Sequence, residues 1–514
     1  MDDKPKRKLR WRLLRWGLIG LAVIATLIGL LVTEENWRVK HDWENFKREA
    51  EAHGERFDMA SVVPPAVPDD QNFFCAPIVA NTLAWEHQRQ NNGPDKTVAD
   101  VSNRMQFNIY PGDSKDWPTN GGNWQKGTLT DLVPWQRLYR NFAETSEGKT
   151  NVYPVPAQPQ SPAADVLLAL TRFDPALEQL RQASLRPYVR IPLNYESDFD
   201  AASELLPWLA RMKGCAQFLN LRIIAELKNN QGAQALDDVK LLLRVNDCVR
   251  EQPFLISHLV RIAIMSIALQ PIYEGLTQHR WLDSQLADLE QVLSKQDYLV
   301  DYEFAMRGEK TTAIDTFEKQ RITREMKYET DDKGTVATNS LRWAPSAFFY
   351  GTELAFAQMH QQFIAPLVDL TNRIASPAAM RQAQAAIQSQ MRHYSYYKVL
   401  AQMSLTSVSS SVMRFSIIQS QVDLARVACA LERYHLEHAN YPETLDALAP
   451  QFITQVPHDL INGQPLHYRR TSDGLFVLYS VGWDEKDDGG KVFLTEKGNV
   501  DQKKGDWVWQ YPVK

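Results

Sequence analysis

The chain reads as mainly α: an N-terminal transmembrane helix, an extracytoplasmic helical body and a small C-terminal α+β module. Three observations predict this. A charge-free apolar run from Trp16 to Val32 follows a basic tail, apolar residues recur at helical spacing from Pro162 to about Tyr302, and after Asn440 the pattern changes to strand-like alternation. The expected segments are a cytoplasmic tail over 1–12, an anchor over 13–33, a stalk and loop-rich region over 34–161, a helical body over 162–400 and the α+β module over 401–514. A chain of 514 residues exceeds what one core needs.

The anchor is the strongest signal. WGLIGLAVIATLIGLLV, extended by Leu13 and Leu14, has the length of roughly 20 residues that a helix needs to cross the hydrocarbon. Trp11, Trp16 and Trp37 lie at its ends, where amphipathic rings favour the headgroup zone, and Arg12 and Arg15 can snorkel. No small-x-small cleavage site follows it in LLVTEENW, so an uncleaved signal-anchor is expected. Lys4, Lys6, Arg7, Lys8, Arg10, Arg12 and Arg15 precede or flank the run, and the positive-inside rule keeps that end cytoplasmic and exports the rest. In a cell with two membranes the body is then periplasmic, held in the inner membrane by a single pass.

After the anchor, NWRVKHDWENFKREAEAHGE predicts a stalk helix with Trp37, Trp43 and Phe46 on one side, ending near Gly54. The prolines of VVPPAVPDDQNF make the next stretch extended. Residues 91–162 are rich in Gly and Pro and are expected to hold short elements. Within them Trp124, Leu132, Trp135 and Leu138 either cover a helical core or meet a partner, and the core is the simpler account.

Helix then follows helix, with breaks marked by Gly232, Pro253 and Asp283. The pair around NNQGAQALDDVKLLLRVND has a tetratricopeptide-like cadence, but no second copy appears at a fixed period, so a plain bundle is expected. PFLISHLVRIAIMSIALQPIYEGL is apolar enough for a second span; His258, Arg261, Gln270 and Pro271 interrupt it and argue for a buried core helix. The polar stretch that follows predicts a solvated helix and a mobile loop about Asp331 to Gly334, and RWAPSAFFYGTELAFAQMHQQF predicts core.

In the last segment RFSIIQSQVDLARVACALERYHLEH spells a long amphipathic helix. ETLDALAP gives a short one, and NGQPLHYRR and SDGLFVLYSVGW give two strands with turns at Asn462-Gly463 and Asp473-Gly474. ALERYHLEHANYPETLDAL and FITQVPHDLINGQPLHYRRTSDGLFVLYSVGWDEKDDGG together resemble the globular head of the major pseudopilin of type II secretion systems and its type IV pilin relatives. The shared features are the N-x-x-YP-x-T loop and the P-x-D, N-G-x-P and YS-x-G-x-D motifs, over roughly the last fifth of the chain. No pseudopilin-type processing site precedes Trp16, and several hundred residues separate anchor from head, so fibre assembly by that family's mechanism is not expected. The resemblance implies calcium in the loop after the YS-x-G-x-D strand, with Asp484, Asp487 and Asp488 as ligands and Asp506 as a further one. An ordinary acidic hairpin tip accounts for the same residues.

A net charge of −5 gives no basic face for phosphate, and nucleic-acid binding is disfavoured. Cys75, Cys215, Cys248 and Cys429 form no CxxC pair; buried or unpaired thiols are expected, with a Cys215–Cys248 bridge the alternative in an oxidising compartment. No nucleophile elbow, HExxH helix, Walker loop or dinucleotide glycine pattern appears. His435 and His438 share a helix face, but no third ligand completes a zinc site in the sequence, and two surface histidines are expected. Asp237-Asp238 reads as solvated surface. The functional expectation is a non-catalytic, membrane-anchored scaffold or interaction protein that meets other envelope proteins and is associated with a type II secretion or pilus-like system. The alternative is an envelope enzyme with a cleft at His258 and Arg261.

Overall fold

The computed structural model describes residues 4–92, 104–111, 118, 121–145, 153–193, 198–329, 336–391, 397–398, 401–402, 405 and 408–512. The chain is mainly helical, with an apolar N-terminal helix and small antiparallel sheets that gather at the C-terminal end. The loop about Asp331 to Gly334 lies outside the described residues. Two compact units form, one from residues 1–61, 310–364 and 384–407, the other from 62–309, 365–383 and 408–514.

In the first unit, the segments expected as anchor and stalk are one unbroken helix, α1 (Lys4–Ala52). No proline lies between Trp16 and Ala52, so nothing interrupts the ladder. The helix ends where Gly54 takes a left-handed φ of 92°. Its first half exposes its apolar side chains, Trp16 at 72% and Leu31 at 67%. Its second half buries Val39, Trp43 and Ala50, and Trp43 sits edge-on to Phe57 at 5.6 Å. Trp37 is exposed, so the three stalk aromatics do not share one face. From Ser346 onward the aromatic run folds as helix α11 (Ser346–Phe363), which packs on α1 and donates the Ala347 amide to Asn36 at 2.6 Å, whereas Trp343 ahead of the helix is 91% exposed rather than core. The polar stretch expected to be helix and loop is helix only to Thr323. Glu325–Glu329 and Val336–Ser340 then pair as antiparallel strands β1 and β2, where Tyr328, Val336 and Thr338 supply strand-forming residues.

The second unit is built on a bundle. Its helices are α2 (Pro77–Asn92), α3 (Val133–Thr145), α4 (Pro162–Leu170), α5 (Asp174–Ser184), α6 (Asp198–Lys228), α7 (Gly232–Asp247), α8 (Leu255–Thr277) and α9 (Asp283–Leu293). They are joined by the first half of α10 (Tyr298–Thr323) and by α13 (Ser411–His438), with α12 (Pro377–Met391) beginning in this unit. The extensive packings are α6 on α7, α6 on α8, and α13 on both α8 and α9. Asn230, at a φ of 60°, takes the left-handed position before α7, and Gly232 is the first helical residue of α7. Asp283 likewise opens α9, whose cap position is Leu282.

Burial of α8 along most of its length accords with a core helix: Ile264, Met265, Ala268, Leu269 and Ile272 are sealed, and the helix continues across Pro271. One expectation is corrected here. Asp238 is fully buried rather than solvated, because its face of α7 turns toward Arg222 of α6 at 2.9 Å and Arg181 of α5 at 2.5 Å. Neighbouring Glu226, 3.0 Å from Arg222, has its pKa pushed up to about 8 by burial and then by the Asp238 charge, against the pull of Arg222.

The C-terminal strands complete this unit. β5 (His467–Arg470), β6 (Phe476–Ser480) and β9 (Trp507–Gln510) form an antiparallel sheet in the order β5-β6-β9. β7 (Val492–Leu494) and β8 (Val500–Gly505) form a separate hairpin. Both expected strands are present, and β6 buries Phe476, Leu478 and Ser480 as the alternation predicts, with Tyr479 of the other face buried too. The sheet packs on α13 through β6 and β9. Asp459 of the P-x-D motif ties the corner: its carboxylate accepts from Ser480 Oγ and the Val481 amide at 2.9 Å each and from the Ile461 amide at 3.0 Å. Small 310 turns and the two-residue strands β3 (Val368–Asp369) and β4 (Ile374–Ala375), paired antiparallel, fill the connections. All four cysteines are free thiols; Cys215, Cys248 and Cys429 are buried, and burial pushes Cys248 up to about 12.

Candidate functional site

The acidic loop of the C-terminal module spends its oxygens on its own backbone. Asp506 accepts from the amides of Gly490 at 2.7 Å and of Asp488 and Lys491 at 3.3 Å. Asp484 accepts from the Gly505 amide at 3.1 Å and the Lys486 amide at 3.3 Å. Asp487 accepts from the Gly489 amide at 2.9 Å and the Tyr479 hydroxyl at 3.0 Å, which hold its carboxyl below the usual range. Burial raises the Asp506 carboxyl even though three amides oppose it. These bonds fix the hairpin tip whether or not a cation visits it.

A different group converges. Among the described residues, one trio of His, Cys, Asp or Glu brings its ligand atoms all within 4.8 Å of one another: His279, Glu432 and His435. Glu432 and His435 lie one turn apart on α13, so both face the end of α8. His279 is just past α8 and has a left-handed φ of 50°, with the Arg280 amide returning to Gly275 O at 2.8 Å. That turn puts His279 Nδ1 2.5 Å from Glu432 Oε1, and the bond holds the imidazole's pKa above its ordinary value. The other oxygen of Glu432 accepts from the Tyr441 hydroxyl at 2.8 Å, and Tyr441 is hydrogen-bonded to Tyr511. The His435 ring is stacked against His279 at 5.4 Å and against Tyr441 at 4.7 Å. The expectation of two surface histidines therefore holds for His438, which is exposed with Nδ1 on Tyr434 O, and fails for His435. Glu432-x-x-His435 was the available sequence signal, and its third member lies 153 positions away.

His258 and Arg261 are core. Arg261, fully buried, meets Asp301 and Gln296, lies 3.2 Å from Asp247 and stacks over the Tyr298 ring at 4.3 Å. His258 Nε2 lies 2.9 Å from Gln252 O, and burial, followed by the Arg261 charge, pushes its pKa down to about 3. Neither lines a described cleft.

A cleft of about 700 Å³ lies instead where the loop over 121–130 meets α6, α8 and α13. Two buried side chains of α8 set that loop. Gln270 Oε1 accepts from the Trp124 amide at 2.7 Å and Glu274 Oε1 from the Thr130 amide at 2.8 Å. Gly122 passes so close to Gln270 and Thr130 that a Cβ has no room. Trp124, Leu132, Trp135 and Leu138 are all buried, as core-covering residues should be. Asn123, Gln217, Asn220, Gln421 and Tyr110 line the cleft with amides and one phenol, and Arg414 is the one charged residue among the lining residues described. Asn220 Oδ1 is buried and finds no donor among the described residues.

Comparison of the chain with known protein families, curated proteins and solved structures finds no match.

Proposed function

We propose that the chain is a membrane-tethered, extracytoplasmic scaffold or interaction protein, working beside a type II secretion or pilus-like assembly. The observation that carries the tether is α1. Its most apolar stretch is entirely unburied and continuous, whereas the large apolar side chains exposed elsewhere, such as Leu185, Leu282 and Trp343, stand apart from one another in the sequence. The basic tail orients it, and the motifs of the last fifth of the chain supply the link to pseudopilins. Alkaline carbonate extraction is expected to leave the protein in the membrane pellet, and a periplasm-active reporter fused after Lys514 is expected to be active. Recovery in the soluble fraction without the first thirty or so residues, or a reporter active only in the cytoplasm, overturns the tether.

The cleft, lined by amides and by Ile109, Leu221, Ile262 and Ile417, is the surface on which the interaction is best sought, since that mixture suits a largely uncharged partner segment. A photo-crosslinker replacing exposed Arg414 is expected to trap a pseudopilin subunit; adducts only to unrelated envelope proteins count against the secretion link. Calcium at Asp484, Asp487, Asp488 and Asp506 belongs to the same reading. Calorimetry on the detergent-solubilised chain that finds no calcium binding between micromolar and millimolar removes it.

A further inference from the structure

We propose that His279, Glu432 and His435 bind a divalent transition ion, zinc foremost, where the end of α8 meets α13. Two imidazoles and a carboxylate are a donor set for zinc and its first-row neighbours. They are too few and too nitrogen-rich for calcium or magnesium, which want about six oxygens. Around a tetrahedral ion with bonds of about 2.0–2.2 Å, ligand atoms stand roughly 3.4 Å apart. The trio, with all three atoms inside 4.8 Å, reaches that spacing by small side-chain rotations. The 2.5 Å between His279 Nδ1 and Glu432 Oε1 is shorter than two ligands of one ion stand apart, so this form is proton-bridged and the ion replaces that proton.

A second observation points to a ligand independently. Among the described residues His435 Nδ1 is buried and has no hydrogen-bond partner, a cost that an ion bound at that nitrogen would remove. The support such a site needs is also present. Tyr441 holds the second oxygen of Glu432, as outer-shell donors hold metal-bound carboxylates, and its ring braces His435. His279, with its side chain 45% exposed, leaves a way in and a fourth position for water. The competing account is a proton-bridged clamp between α8 and α13 that never sees a metal.

The test uses the full chain in detergent, stripped with chelator and titrated with zinc alone by calorimetry, and with cobalt alone by visible absorption. One ion per chain is expected, with the strong bands of four-coordinate cobalt. His279→Ala, Glu432→Gln and His435→Ala are each expected to weaken zinc on the order of 100-fold, whereas His438→Ala leaves it unchanged. His279 is the decisive position because its exposure lets the variant fold: a His279→Ala protein that melts like the parent in chelator and still binds zinc as tightly overturns the proposal. So does a parent that takes up no zinc. Should His435→Ala fail to fold, Glu432→Gln and His279→Ala decide the matter alone.

Discussion

Two regions carry ligand-type side chains, and they differ in what those side chains already do. From Asp484 to Asp506 four carboxylates crowd a short hairpin, yet at Asp484, Asp487 and Asp506 the oxygens take backbone amides or a tyrosine hydroxyl. His279, Glu432 and His435 come from distant positions, and their donor atoms face one another with a buried nitrogen left over. In the trio the Glu432 oxygens are likewise taken, by His279 and Tyr441, and the difference lies in the His435 nitrogen that has no partner among the described residues.

The largest effect that could break this contrast is at Asp506. Asp506→Ala strands three amides of the hairpin and is expected to lower stability by about 3 kcal/mol in urea unfolding. The loss should be the same in chelator and in calcium; a loss confined to calcium-containing buffer would make the loop a cation cage after all. A third histidine sharpens the other side. His258 is buried with Arg261 and Arg250 as its charged influences, and its pKa near 3 lies below the ordinary 6.5. Its neutral form therefore confers stability that is complete above pH 6.5 and declines as pH falls toward 3, because the unfolded chain takes a proton that the folded one refuses. Relative to His258→Asn, the parent should lose up to about 1.4 kcal/mol per pH unit below 6.5, measured as the gap between their urea midpoints; a constant gap would show that His258 titrates normally.

Smaller still is Tyr441→Phe, which removes the hydroxyl on Glu432. It should cost about 1 kcal/mol in chelator and weaken zinc roughly tenfold by calorimetry. Asp487→Asn, at the exposed tip, should cost only about 0.5 kcal/mol in the same unfolding assay.

How far the sequence revealed all this depended on the range over which each pattern acts. α1, the helical spacing of the bundle and the alternation of Phe476, Leu478 and Ser480 are local signals, and each element is found where its pattern lies. The β1–β2 hairpin was hidden because Glu, Lys and Thr are as compatible with a solvated helix. Asp238 looked solvated because its neutralising partners, Arg181 and Arg222, come from two other helices. The His279 cluster was invisible for the same reason: Glu432 and His435 share a turn, but only the packing of α13 on α8 brings the third ligand.

The continuity of α1 has a mechanical consequence for a tethered molecule. From Val32 to Ala52 the helix rises about 30 Å at 1.5 Å per residue, with no pivot along it. If the apolar half spans a bilayer as proposed, membrane thickness sets its tilt, and an unhinged rod hands that angle to the outer half. A change of about 10° in tilt would sweep the far end sideways by roughly 5 Å. Through a lever of this kind, thinning or thickening of the bilayer would be felt at Trp43 and Phe57, well beyond the reach of the lipid itself.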